Sequence, residues 1–257
     1  MHFAFSDEQL ALRDAVRDLL AKECPPAAVR AAWSSPSGRC PSAWAALTEM
    51  GVLGVVAPEA LGGLGLDEVD LVLVLEETGR FALPEPIVET AAVAVPLLAE
   101  RGDSRAEKLV NGASAAVVHA LAPYAVWADT AECIIVLGDG QLAVVGSADL
   151  PLRSAPSVDG ARRLFAVDLT ASLPSGTAPP DTNVNVDLAI DRAALGTAAQ
   201  LVGLADRMIS MTVEYATARH QFGVPIGSFQ AVKHKFTDML VALERARATC
   251  YFAALTI

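Results

Sequence analysis

Apolar residues recur at helical spacing through the first 25 residues of the chain. Four of them share one face of such a helix: Leu12, Val16, Leu19 and Leu20. Ser6 and Gln9 stand three apart just ahead of this run, which is the spacing of a capping box. The pattern therefore predicts a helix that begins after Ser6 and ends at Pro25-Pro26, because proline cannot continue the helical hydrogen bonding.

Three further segments before residue 111 carry apolar residues at helical spacing. The predicted helices cover about Pro41–Met50, Leu66–Thr78 and Ile87–Glu100. Gly51 follows the first of them at the position where a left-handed residue commonly ends a helix. The intervening stretch Val52–Leu66 is rich in Gly and Pro and is typical of turns. Residues 1–111 are therefore expected to form an all-α domain.

The pattern changes from helical to strand-like after Gly112. Short β-prone runs separated by Gly- and Asp-containing turns predict strands at Ala115–Ala120, Glu132–Leu137, Gln141–Val145 and Leu164–Leu169. The segment Ser172–Asn185 is rich in Pro, Ser, Thr and Asn and is expected to be a linker. Residues 112–186 are therefore expected to form a small, reduced middle β domain with a linker.

The last part of the chain returns to a helical pattern. Asp187–Ala218 predicts one long helix, a Gly/Pro segment at 223–227 breaks it, and Ser228 is expected to cap a second helix. That second helix shows no stop signal before Ile257, which is typical of a truncated chain. Residues 187–257 are expected to form an incomplete helical bundle, and the whole is predicted to be a mainly α member of the α+β class.

Composition restricts the classes of function. The chain of 257 residues has 19 basic and 30 acidic side chains, a net charge of −11, and 53 % hydrophobic residues. The high apolar content excludes disorder and predicts oligomerisation, while the acidity argues against nucleic-acid binding. The most apolar windows, Thr90–Ala99 and Ala193–Ala205, are too short to span a membrane. The N-terminus has no basic or apolar signal region, so a cytoplasmic location is expected.

The remaining generic candidates favour structural roles. Four scattered cysteines predict reduced, mostly buried thiols and no metal site: Cys24, Cys40, Cys133 and Cys250. Gly62–Gly65 favours a tight turn between helices over a phosphate-binding loop, because no strand precedes it and no Lys-Ser/Thr pair follows. Only one of Glu76 and Glu77 could face a site, because adjacent residues point about 100° apart on a helix. A hydrolytic triad is not indicated.

The strongest local signal lies at Arg219, at the end of the long predicted helix. A Gly/Pro turn and the start of another helix follow it directly. The new helix offers free N–H groups and the positive end of its dipole, and a guanidinium binds phosphate in a bidentate manner. This arrangement suits an anion. The alternative is that Arg219 donates to the last carbonyls of its own helix.

The residues around Arg219 resemble a known family. Tyr215–Ala231 reads Y-A-x-x-R-x-Q-F-G-x-P-I-x-x-F-Q-A, which is similar to the flavin-binding signature of the acyl-CoA dehydrogenases. Phe5–Gln9 resembles the family's first helix. The block Gly51–Arg80, which contains G-x-x-G-x-x-x-P-E-x-x-G-G-x-G and ends in E-E-x-G-R, resembles its next segment.

The resemblance implies a fold and a chemistry. It implies an N-terminal α domain, a middle β domain and a C-terminal four-helix bundle that makes the dimer and tetramer contacts. It implies that FAD lies between subunits and is bound mainly by a neighbouring subunit. Five residues of this chain would hold the ADP half of that flavin: Arg219, Gln221, Phe222, Ile226 and Gln230. The implied reaction is α,β-desaturation of an acyl-CoA thioester, with electrons passed to an electron-transferring flavoprotein.

Two features depart from the family pattern. The segment Asn111–Trp127 lacks the Thr-Glu-Pro and Gly-Ser-Asp motifs that contact the flavin ring and substrate. Most members of the family carry the catalytic glutamate in C-terminal helices that lie beyond residue 257. A minority carry it on the long helix, at a place that falls at Ala193 here, and the nearest carboxylate is Asp191. No catalytic residue is therefore assigned in the chain as given.

Both departures resemble an actinobacterial branch in which two unlike chains form a heterotetramer (α2β2). This resemblance implies a degenerate partner subunit for an enzyme of fatty acid or steroid catabolism, acting on bulky acyl-CoA substrates. A homo-oligomeric dehydrogenase, a non-catalytic scaffold or regulatory protein, and a related flavin oxidase on the same fold are the alternatives.

Overall fold

The N-terminal part of the chain is helical. The computed structural model describes residues 4–119, 122–138, 141–168 and 185–257, so most of the predicted linker Ser172–Asn185 lies outside the described residues. The helices are α1 (Asp7–Glu23), α2 (Pro26–Ser34), α3 (Pro41–Glu49), α4 (Glu68–Arg80), a π-helix (Val88–Ala94), α5 (Val95–Glu100) and α6 (Arg105–Val110). The predicted helices are all present, with boundaries shifted by a few residues.

The start of α1 confirms the capping box. The Ser6 hydroxyl accepts a hydrogen bond from the Gln9 amide (3.2 Å), and the Ser6 amide donates to the Gln9 side chain (3.0 Å). Gly51, with φ +82°, stands at the end of α3 in the left-handed conformation as predicted. The expectation that Pro25-Pro26 simply ends a helix was incomplete, because Pro26 is also the first residue of α2, where its missing N–H costs nothing.

The middle of the chain forms two small sheets. The first has the order β1-β3-β4, with β1 (Ala115–His119) parallel to β3 (Cys133–Gly138) and β4 (Gln141–Val145) antiparallel to β3. The second has the order β2-β6-β5, all antiparallel, from β2 (Tyr124–Val126), β5 (Leu152–Ala155) and β6 (Leu164–Val167). The sequence pattern missed β2 and β5, because three or four residues are too few to show an alternation.

The predicted long helix is α7 (Val186–Ala218), which crosses α4 closely. Two glycines permit the approach, since a Cβ at Gly203 would overlap the carbonyl oxygen of Glu76 and a Cβ at Gly79 would overlap that of Gln200. Residues of α7 and of the final helix, α8 (Gln230–Ala254), join the same apolar core as the N-terminal helices, whereas the two sheets share a second, smaller core. The crossing therefore ties the last part of the chain to the first.

The final helix, α8 (Gln230–Ala254), corrects two expectations. Ser228 does not cap it, because the Ser228 hydroxyl donates to the Pro225 carbonyl (2.6 Å) and α8 begins two residues later without a side-chain cap. The helix also does not run to Ile257 but ends at Ala254.

The membrane expectation needs a correction at α7. By length and hydropathy alone this 33-residue helix is apolar enough to cross a membrane, so the argument from short apolar windows was wrong for it. A third of its apolar window is buried by other parts of the chain. One such helix is weak evidence for a span, because core helices of soluble proteins pass the same test.

Candidate functional site

A two-stranded hairpin joins α7 to α8. Strand β7 (His220–Gln221) pairs antiparallel with β8 (Val224–Pro225), and the Ile226 amide donates to the Arg219 carbonyl (2.7 Å). Phe222 and Gly223 occupy the turn with φ of +52° and +80°. The hairpin therefore projects from the end of the helix pair, with Arg219 at its base.

The Arg219 side chain extends into solvent. Its guanidinium has no hydrogen-bond or ion-pair partner among the described residues, and the residue is exposed. Its backbone amide, rather than its side chain, donates to the Tyr215 carbonyl (2.8 Å) and closes α7. The alternative in which the guanidinium caps its own helix is not the arrangement observed. The cation is available for an external anion.

The start of α8 follows the hairpin closely, and its first backbone amides are uncapped. Among the residues that the structure describes, no side chain accepts a hydrogen bond from its first amides, and the hydroxyl of Ser228 is engaged with Pro225. An uncapped helix start with the positive end of its dipole is a favourable place for phosphate oxygens. Gln230, the first residue of the helix, is exposed, with its side-chain nitrogen 3.1 Å from a His234 ring nitrogen.

The hairpin also offers apolar surface. Phe222 is 93 % exposed and packs edge-on against Phe229, with ring centroids 6.3 Å apart. Ile226 is half-buried beneath the turn, and Gln221 is exposed on β7. The structure thus brings together all five residues predicted to bind a cofactor. A free cation, an uncapped helix start and an exposed ring fit the diphosphate and ADP half of FAD, and the assignment of these residues to FAD stays a prediction.

Neither Glu76 nor Glu77 is available to a site. Glu77 is buried and receives two hydrogen bonds from Arg17 of α1 (2.5 and 3.0 Å). Glu76 accepts from Arg247 (2.9 Å) and from the Tyr251 hydroxyl (2.7 Å), both on α8. Burial, followed by the hydrogen bond to Glu76, raises the pKa of Tyr251. The two carboxylates point to different helices, as adjacent helical residues must, and both serve ion pairs.

The glycine-rich segment is a tight turn, as expected. Its amides are used internally, since Gly63 donates to the Pro58 carbonyl (3.2 Å) and Gly65 to the Ala57 carbonyl (2.8 Å). A Cβ at Gly63 would overlap the backbone of Ala57. The donors that a phosphate would need are therefore occupied.

The position expected for a base on α7 carries none. Ala193 is half-buried against the apolar core, and Asp191 is exposed two residues before it. An alanine methyl group cannot remove a proton, and a base must come within about 3 Å of the proton that it takes.

Glu89 is a half-buried acid that the sequence pattern did not single out. It lies in the π-helix, a rare widened helix often found at functional sites. Burial of the Glu89 carboxyl raises its pKa, and the charge of Arg162 opposes this only in part. No sequence signal could have found it, because its environment is created by the π-helix and by the distant segment that carries Arg162.

The cysteines behave as predicted. All four are free and buried. Burial is the main cause that raises the pKa of Cys24 to about 12 and that of Cys133 to about 11. Within the described ranges, no group of three or more His, Cys, Asp or Glu side chains could hold a metal ion.

Comparison with known proteins gives consistent matches. Residues 6–108 match the family model for the acyl-CoA dehydrogenase N-terminal domain, and residues 185–257 match that for the C-terminal domain. The chain is 36 % identical over 245 residues to acyl-CoA dehydrogenase IpdE2 of Mycobacterium tuberculosis, covering 94 % of this chain and 74 % of that protein.

Two solved structures share the fold. A Tcur3481-Tcur3483 steroid ACAD variant superposes with a TM-score of 0.83 at 24 % identity, over 96 % of this chain and 77 % of that one. The ChsE4-ChsE5 complex from Mycobacterium tuberculosis gives a TM-score of 0.83 at 22 % identity, over 99 % of this chain and 79 % of that one. The likeness supports the expected mainly helical architecture with small sheets.

Proposed function

This chain belongs to the acyl-CoA dehydrogenase family, and we propose that it is one subunit of a heteromeric, FAD-dependent enzyme that desaturates an acyl-CoA thioester. In this proposal it is the partner chain, which supplies a cofactor-binding hairpin and carries no base on α7. The observation that carries the proposal is the exposed Arg219 beside the uncapped start of α8.

The proposed role of the hairpin is to hold the ADP half of an FAD seated mainly on the neighbouring subunit. Arg219 places a permanent positive charge beside the α8 amides, so that both can bind the diphosphate. The exposed Phe222 ring and the half-buried Ile226 offer apolar contact, while Gln221 and Gln230 offer amide groups for hydrogen bonds. When bound, FAD supplies the acceptor for the hydride removed from the β carbon.

The proposed division of labour is supported by position 193, where a minority of the family carries the base on α7. A base on α7 is excluded there by the side chain of Ala193. The neighbouring subunit would then remove the α proton, while this chain binds and orients the shared cofactor. Residues 1–111, 112–186 and 187–257 are proposed to correspond to the family's N-terminal α domain, middle β domain and C-terminal helical bundle.

The proposed partner is a second, unlike acyl-CoA dehydrogenase chain in a heterotetramer. Two solved structures of the same fold, Tcur3481-Tcur3483 and ChsE4-ChsE5, pair two different chains, which supports this choice over a homo-oligomer. The first of them is a steroid enzyme, so we propose a bulky, steroid-derived acyl-CoA as substrate. Electron-transferring flavoprotein as electron acceptor and a cytoplasmic location complete the proposal.

A second candidate is a non-catalytic scaffold or regulatory member of the family. The alanine at position 193 favours it, because the fold is retained without a base at that place on α7. The two candidates differ in whether the assembly contains flavin.

Co-expression separates these candidates. The chain is produced alone and together with a second acyl-CoA dehydrogenase-like chain of the same organism, and flavin absorbance and molecular mass are measured. Flavin only in the co-purified assembly is the predicted result. Flavin in the lone chain would indicate a homomer, and an assembly without flavin would contradict the enzymatic role.

A further inference from the structure

Helix α2, the turn after α4 and the second half of α7 enclose a groove, which we call the α2–α7 groove. It has a volume of about 640 Å³, within the usual range of small-molecule sites. Its walls are mainly apolar, with Val29 and Trp33 on α2, Phe81 in the turn, and Leu204 and Met211 on α7. Trp33 is 57 % exposed and Met211 52 %. The apolar body of a small molecule would therefore cover exposed surface on both sides of the groove.

Two guanidinium groups belong to the same walls. Arg207 lines the groove three residues after Leu204 and four before Met211, so these three residues share one face of α7. Arg30 lines it from α2, three residues before Trp33 and on the same face of that helix. The α2–α7 groove therefore combines apolar walls with positive charge.

These two guanidinium groups have no hydrogen-bond or ion-pair partner in the part of the chain that the structure describes. Arg207 is half-buried, yet half-buried Arg17 and Arg247 each bind a glutamate, and Arg80 in the same groove is paired with Asp206. This contrast occurs in a chain with 30 acidic and 19 basic side chains. Because partial burial of an unpaired charge costs free energy, Arg207 is expected to pair with an anion from outside the chain.

The composition of the lining selects the class of ligand. The described residues that line the groove include three arginines and no Asp or Glu. A cation would therefore meet only positive charge. An inorganic anion would leave the apolar walls exposed to water, and a neutral apolar molecule would leave Arg207 unpaired. A ligand that satisfies both features has an apolar body and an acidic head.

We propose that the α2–α7 groove binds an amphipathic carboxylate. The apolar body would lie on Trp33, Leu204 and Met211, and the carboxylate would accept charge-assisted hydrogen bonds from Arg207, with Arg30 as a second cation. Fatty acids and steroid acids share this chemistry. The site is separate from the hairpin, because Met211 precedes Arg219 by eight residues, and it does not depend on the proposed dehydrogenase reaction.

Isothermal titration calorimetry tests the site with dodecanoate and cholate as probes, each below its micelle concentration. The titrations are run on the lone full-length chain and on the co-purified assembly, and at least one probe is expected to bind in both. Tighter binding of dodecanoate would identify a fatty acid as the ligand class, and tighter binding of cholate a steroid acid. Dodecyltrimethylammonium, which has the same tail as dodecanoate and the opposite charge, is expected to bind at least tenfold more weakly.

Substitutions locate the binding. Arg207→Gln is expected to weaken binding of the tighter probe at least tenfold. Arg30→Gln should weaken it less, because Arg30 is exposed and water screens its charge. Arg245→Gln, which changes an exposed arginine of α8 outside the groove, is the matched control and should bind like the wild type. Circular dichroism checks that each variant is folded, and the exposed Arg30 provides a second variant if Arg207→Gln does not fold.

Three results would overturn this inference. They are the absence of binding by both probes, equal affinity for dodecanoate and dodecyltrimethylammonium, and unchanged affinity in folded Arg207→Gln and Arg30→Gln. Binding by the lone chain that disappears in the co-purified assembly would also overturn it, because the partner subunit would then cover the groove. None of these results concerns flavin content, so the proposed function stands or falls separately.

Discussion

Glu85 shows how single residues hold the N-terminal helices together. Its side chain has no solvent exposure and accepts hydrogen bonds from Arg39 (2.6 Å) and from the Cys40 amide (2.7 Å). Burial raises the pKa of Glu85, and the charge and hydrogen bond of Arg39 act against that rise. The pair therefore joins the start of α3 to the loop that precedes the π-helix, at a position where an unpaired charge would be costly.

Removal of Arg39 tests this pair. Arg39→Ala is expected to lower the free energy of unfolding by about 3–5 kcal/mol, the usual cost of leaving a buried charge without its partner. The exposed-site variant Arg245→Ala should change it by less than about 0.5 kcal/mol. Urea unfolding monitored by circular dichroism measures both.

The loss should also depend on pH. Without Arg39 the pKa of Glu85 rises further in the folded protein, so the native state holds a proton that the unfolded state releases. Stability then falls as pH rises from the unfolded pKa towards the folded one. The deficit of Arg39→Ala should therefore be larger at pH 8 than at pH 5. An equal deficit at both pH values would contradict this account of Glu85.

At the scale of elements, the crossing of α4 and α7 determines how the last part of the chain packs against the first part. Gly203 has the backbone of Glu76 directly against it. Gly196 faces only side chains, those of Val88 and Leu75, which lie 2.8 and 3.3 Å from where a Cβ would stand. Backbone cannot move aside without displacing a helix, while a side chain can turn away.

This difference predicts a graded pair of variants. Gly203→Ala should destabilise the protein by more than about 3 kcal/mol, beyond the usual cost of overpacking, and Gly196→Ala by less. Helix propensity alone would make both substitutions stabilising by about 1 kcal/mol. Thermal or urea unfolding measures the two variants, and a stabilised Gly203→Ala would show that the crossing is looser than described.

Elements with strong local signals could be predicted from the sequence. The capping box at Ser6 fixed the start of α1, and the long apolar period gave α7 nearly to the residue. Short strands such as β2 and β5 contain too few residues to show an alternation of apolar and polar positions. Ser228 had the right residue type for a cap, but its hydroxyl finds a nearer acceptor in its own turn.

In the candidate site, too, local features could be predicted from the sequence and long-range contacts could not. The hairpin and its five residues could be located from one local motif. The engagement of Glu76 by Arg247 and Tyr251 could not, because these partners lie more than 170 residues away in the chain. The exposure of the Arg219 side chain depends on how other parts of the folded chain pack around it, and a local sequence pattern contains no information about that packing.

At the scale of the whole molecule, the exposed apolar surface and the exposed cation occur on the same two helices. The exposed apolar side chains of α7 end at Tyr215, four residues before Arg219. An assembly in which the partner holds most of the FAD and this chain holds its diphosphate would use both features.

The most direct test of this account is the FAD content of the co-purified assembly when Arg219 is changed to alanine. We predict at least a tenfold loss of flavin per assembly in Arg219→Ala, with the subunits still associated, because the diphosphate loses its cation. Arg245→Ala, which removes an equal charge from α8 away from the hairpin, should retain full flavin. Unchanged flavin content in Arg219→Ala would contradict the central claim.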